Sequence, residues 1–81
     1  MITVLFFGRL GDASETLHMA LPEGVNDTDG LTTWLMKHNS TLETELKKAG
    51  NRIAVNKAII TQSTPLKDGA EIAYMSPLSG G

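Results

Sequence analysis

Glu71-Ile72-Ala73-Tyr74-Met75-Ser76-Pro77-Leu78-Ser79-Gly80-Gly81 is the stretch on which the reading of the fold turns. Its first five residues alternate as a strand, with Ile72 and Tyr74 on one face and Glu71, Ala73 and Met75 on the other. The six that follow carry a proline and finish on two glycines. Fully extended, they reach roughly 20 Å beyond the strand. Glycine has no Cβ, so its backbone enters a channel that excludes any other residue. The α-carboxylate of Gly81 is then the chemically useful group at the tip. A frayed terminus is the plain alternative, since most domains end loosely. What the strand is built into decides between the two.

The natural partner of this strand stands at the other end of the sequence. Ile2-Thr3-Val4-Leu5-Phe6-Phe7 is rich in β-branched and aromatic residues and stops at Gly8. Alternation sets Ile2, Val4 and Phe6 on one face and Thr3, Leu5 and Phe7 on the other, which Thr3 marks as the wetter one. If the last strand lies beside and parallel to the first, the order is that of a β-grasp sheet. Leu5 and Phe7 then meet Ala73 and Met75, with Ile59 alongside. That makes an apolar patch next to the tail, and such patches usually mark a partner surface. Cover by a loop or by a second helix is the open alternative.

Between these strands the pattern is economical. Gly8-Arg9-Leu10-Gly11-Asp12-Ala13-Ser14 is turn chemistry with room for a short helical turn. Thr16 to Leu21 alternates with Leu17, Met19 and Leu21 inward, a second strand that Pro22 and Gly24 close. Asn26, Asp27 and Thr28 are all helix-capping types, and Leu31, Trp34, Leu35 and His38 follow at helical spacing up to Asn39. Ser40-Thr41-Leu42-Glu43 reads as a capping box with Ser40 as the cap. The short helix behind it presents Leu42, Leu46 and Ala49 on one side and stops at Gly50. Arg52-Ile53-Ala54-Val55 and Ala58-Ile59-Ile60-Thr61 are extended, around a turn at Asn56-Lys57. Pro65 to Gly69 is a loop into the final strand. The sum is an α+β domain over residues 1–75, a mixed sheet packed on one main helix with a second short helix. A flexible C-terminal Gly-Gly tail takes up residues 76–81.

Composition removes several function classes. Eighty-one residues make one domain. Seven basic and nine acidic residues give a formal charge of −2 with no basic block, so nucleic acid is not an expected partner. There is no cysteine, hence no disulfide, no thiolate nucleophile and no cysteine metal site. Small secreted domains usually rely on such staples, so a cytoplasmic location is expected. No signal peptide and no membrane-spanning run is expected either. His18 falls on a strand face opposite the core and His38 at a helix end, neither at metal-ligand spacing from a second ligand. Asp27 and Asp29 suit a helix start better than a catalytic pair. The serines lack a nucleophile-elbow context, and Gly8 to Gly11 has the wrong spacing for a phosphate loop. The chain reads as something acted upon, or as something that completes another protein's site.

Ile2 to Phe7 with Gly8-Arg9-Leu10, then Ile53-Ala54-Val55-Asn56, Pro65-Leu66-Lys67-Asp68-Gly69, Glu71-Ile72-Ala73-Tyr74 and Pro77-Leu78-Ser79-Gly80-Gly81, resemble the small subunits of molybdopterin synthase. The likeness runs over nearly the whole chain; from Thr16 to Gly50 it is mainly one of pattern. It implies a ubiquitin-like β-grasp sulfur carrier. In that family an E1-like adenylyltransferase uses ATP to activate the terminal glycine, here Gly81, which becomes a thiocarboxylate. The tail, here Pro77, Leu78, Ser79 and Gly80, enters the large subunit, and sulfur passes to cyclic pyranopterin monophosphate. The resemblance further implies docking through Phe7, Ile59 and Met75, a heterotetramer with the large subunit, a reaction centre in that subunit, and no bound cofactor or metal. Ser76 stands where relatives often have proline, and Ala70 where they often have an acid. Carriers for thiamine synthesis or tRNA thiolation share the β-grasp and the Gly-Gly ending, and a ubiquitin-like binding module would use the same patch.

Overall fold

The first and last strands lie side by side and parallel, with Val4 opposite Ile72 and Phe6 opposite Tyr74. The computed structural model describes residues 1–77. Its elements are β1 (Ile2–Phe7), α1 (Arg9–Ala13), β2 (Leu17–Met19), α2 (Thr28–His38), α3 (Ser40–Leu46), β3 (Arg52–Val55), β4 (Ala58–Ile60) and β5 (Glu71–Met75). The strands form one mixed sheet in the order β2-β1-β5-β3-β4. Only the central β1–β5 pair is parallel; β2 joins β1, and β3 joins β5 and β4, antiparallel. The β3–β4 hairpin turns on Asn56 and Lys57, both with positive φ, as a two-residue turn matched to the strand twist requires.

The core lies on one face of this sheet. Ile2, Val4, Ile72 and Tyr74 are buried there with Leu31 and Leu35 of α2. The Phe6 and Tyr74 rings stack with centroids 5.7 Å apart. Tyr74 is also tied to the helix by a 2.8 Å hydrogen bond to Thr32 Oγ1. Thr32 spends its own hydroxyl proton on the Thr28 carbonyl, 2.8 Å away, so the tyrosine is the donor. Asp27 caps α2 by accepting from the Gly30 N–H at 2.8 Å. Thr28, buried at the first turn, fastens the loop before β5 to the helix. Its N–H donates to the Thr64 carbonyl and its Oγ1 accepts from the Thr64 N–H, both at 3.0 Å. Leu66 is buried behind that clamp.

Three local expectations need correction. Asn39, not Ser40, caps α3: its side chain accepts from the Leu42 N–H at 3.0 Å, and Ser40 is already helical. The helix ends at Leu46, and Ala49 is exposed rather than part of an apolar side. The cause is Asn51, whose Nδ2 reaches back to the carbonyls of Glu45, Leu46 and Lys48 and satisfies them outside the helix. The Arg9–Ala13 segment forms more than a turn, because Leu10 is fully buried and anchors α1 against α3 and β1. No helix among the described residues is long and apolar enough to cross a membrane.

Candidate functional site

The face of the sheet away from the helices carries the apolar patch. Strand register arranges it in rows. Leu5, Ala73, Ala54 and Ile59 lie opposite one another across β1, β5, β3 and β4. The next row holds Phe7, Met75 and Arg52. At the far end stand His18, Thr3 and Glu71. Four strands at about 4.8 Å spacing make the apolar row about 14 Å wide. Its middle is lined by two alanines, so the surface is a shallow trough between Leu5 and Ile59. Phe7 is 50% exposed and Ile59 63%. Met75 is half-buried between Phe7 and Arg52. Among the described residues neither a loop nor α3 covers Phe7 or Ile59, which answers the alternative left open by the sequence. Ala54 and Arg52 belong to this face as well. Their membership follows from the two-residue turn at Asn56-Lys57, which sets Val55 opposite Ala58 and therefore Ala54 opposite Ile59.

The chain leaves the body at one corner of this face. Ser76 follows Met75 directly and is still tied down: its Oγ accepts from the Arg9 N–H at 3.0 Å. Gly8, with φ +68°, passes beneath it, and a Cβ there would collide with the Ser76 hydroxyl. Gly50, with φ +90°, lies against Pro77, so that an added Cβ would come within 2.8 Å of the proline ring. Two glycines thus make the gap through which the chain exits. Pro77 is exposed. The expected tail residues Leu78, Ser79, Gly80 and Gly81 lie outside the described residues.

The body holds little that could do chemistry alone. Among the described residues no three His, Cys, Asp or Glu side chains are grouped to hold a metal ion. His18 is exposed, with Nδ1 3.4 Å from Thr3 Oγ1. His38 stacks on Trp34 at 4.1 Å, and its Nδ1 lies 2.8 Å from the Trp34 carbonyl, a capping arrangement. A groove of about 560 Å³ runs between the start of α2 and the β3–β4 hairpin. Its Thr28 and Ser63 hydroxyls already accept backbone N–H groups. No buried side-chain nitrogen or oxygen among the described residues lacks a partner. What the geometry offers is an exposed apolar face with the chain leaving beside it.

The sequence model of the ThiS family matches residues 4–81, nearly the entire chain. The chain belongs to the ThiS family. It is a ThiS-family sulfur carrier of α+β architecture, with the ubiquitin-like β-grasp that the sheet order displays. Among solved structures it is similar to a chain in a protein–protein complex of subunits 1 and 2 of molybdopterin-converting factor from Helicobacter pylori 26695. The two share 28% identity with a TM-score of 0.70, over 99% of this chain and 97% of that one. None of the curated proteins matches it by sequence.

Proposed function

We propose that this ThiS-family protein is the sulfur-carrier subunit of a molybdopterin synthase, acting in the cytoplasm. The observation that carries this reading is the full-length likeness to a chain solved within a molybdopterin-converting factor complex. The body docks on a large subunit through Phe7, Ile59 and Met75, and Pro77 to Gly80 thread into it. The large subunit holds the reaction centre, and two carriers serve a dimer of it. Gly81 bears the chemistry. A carboxylate is a poor electrophile, so an E1-like enzyme first couples it to ATP, releasing pyrophosphate and leaving an acyl-adenylate. A sulfur nucleophile then displaces AMP and yields the thiocarboxylate. That sulfur is passed to cyclic pyranopterin monophosphate, and two such transfers build the dithiolene. Gly80 supplies slimness next to the reacting carbonyl.

The test is reconstitution with a molybdopterin synthase large subunit and cyclic pyranopterin monophosphate. Dithiolene formation with loss of sulfur from the carrier is the expected result. The match to the ThiS family model favours a second reading, a carrier feeding thiazole formation in thiamine synthesis. Stable complex formation with a thiazole synthase and none with the large subunit would select that reading and reject the first.

A further inference from the structure

Helix α1 begins without a side-chain cap of its own, because its N-cap position is Gly8. The missing acceptor comes from the other end of the chain. Ser76 Oγ receives the Arg9 N–H at 3.0 Å and lies 3.4 Å from the Phe7 carbonyl, in position to donate to it. The Ser76 N–H approaches the same carbonyl at 3.4 Å. Gly8 is what admits this contact. Its positive φ turns the backbone under Ser76, and its lack of a Cβ leaves the space that the serine hydroxyl fills. The next residue, Pro77, has its own φ restricted by the ring and rests against Gly50. A hydroxyl latch followed at once by a stiff residue fixes the direction of the chain as far as Pro77.

We propose that Ser76 is a positioning residue. Held by Arg9 and Phe7 in the gap at Gly8, it aims the segment beyond Met75 and so sets where the terminal carboxylate arrives when the sheet face docks. The proposal rests on the carrier reading above. It separates two jobs within a few residues: Phe7 and Met75 supply the docking face, while the Phe7 backbone and Ser76 supply the bearing. Without the hydroxyl the body still docks, but the exit samples other directions. Removing the hydroxyl loses the 3.0 Å bond from the Arg9 N–H and the longer 3.4 Å one to the Phe7 carbonyl; the first is the one of normal length, so delivery slows about two- to tenfold.

The experiment compares the full chain with Ser76→Ala and Ser76→Thr. In the free proteins, hydrogen exchange of the Arg9 amide reports the latch. In the complex with the acceptor subunit, sulfur transfer from the thiocarboxylate is followed at increasing acceptor concentration. Ser76→Ala is expected to lose Arg9 protection and to lower the transfer rate at saturation, with an unchanged half-saturating concentration. The rate should track Arg9 protection across all three chains, the threonine variant included. A serine that merely stabilises the fold would instead move the unfolding midpoint and leave the saturated rate alone. Ser76→Ala transferring as fast as the parent, or slowing only through weaker docking, overturns the latch while the carrier reading stands. A parent chain that takes up no sulfur overturns both.

Discussion

Tyr74 joins the strand that carries the tail to the helix that covers the sheet, and its phenol is an internal probe of that joint. Burial pushes its pKa from the usual 10.0 up to about 12; Thr32, whose hydroxyl would have to turn and donate to the phenolate once it forms, pulls it back in part, and the Asp29 charge adds to the rise. A phenol whose folded pKa is raised contributes stability that is intact below the unfolded value. That stability is lost as pH climbs from 10 through 12, because only the unfolded chain can ionise cheaply in that window. Two units at roughly 1.4 kcal/mol each come to about 3 kcal/mol. The chain has a single tyrosine, so phenolate absorbance reports this group alone. The expected titration of the folded protein is displaced by about two units from that of the urea-unfolded chain. Urea unfolding at stepped pH should lose about 3 kcal/mol across the same window. Tyr74→Phe keeps the ring stack on Phe6 but loses the bond to Thr32, at about 1 kcal/mol, and should lack the tyrosine part of the alkaline loss. Phenolate appearing near its ordinary pKa while the protein remains folded would refute the buried joint.

Three further substitutions separate the parts. Thr28→Val removes the acceptor of the Thr64 N–H and should cost about 1–3 kcal/mol in urea unfolding, with Thr28→Ser recovering most of it. Gly8→Ala meets both a positive φ and the Ser76 hydroxyl, so it should destabilise by more than ~1 kcal/mol in the same assay. Phe7→Asp should weaken docking to the large subunit by about 2 kcal/mol, roughly 30-fold in Kd by calorimetry, with little change in the unfolding midpoint because the ring is half exposed. Unfolding of that variant would show Phe7 to belong to the core.

Where alternation governs, the sequence was a sufficient guide. Ile2, Val4 and Phe6 fell inside and Phe7 outside, and Ile72 and Tyr74 fell inside with Met75 half-buried on the opposite face, because a sheet with one covered face leaves strands no other register. The patch at Phe7, Met75 and Ile59 followed from that parity. What escaped was set by contacts distant in sequence. Helix α1 has glycine in it and no cap in it; burial of Leu10 and a serine 67 residues later complete it. The end of α3 is decided by Asn51 reaching backwards, which no helix-stop signal at Gly50 encodes. The Ser76 contact was likewise invisible, since a lone serine before a proline carries no periodicity.

The carrier account stands most directly on the mass of the chain after incubation with ATP, an E1-like activating enzyme and a sulfur donor. It predicts a gain equal to one oxygen replaced by sulfur, borne by the fragment that ends at Gly81, and no gain in a chain lacking Gly81. An unchanged mass, or sulfur found on any other residue, would contradict it.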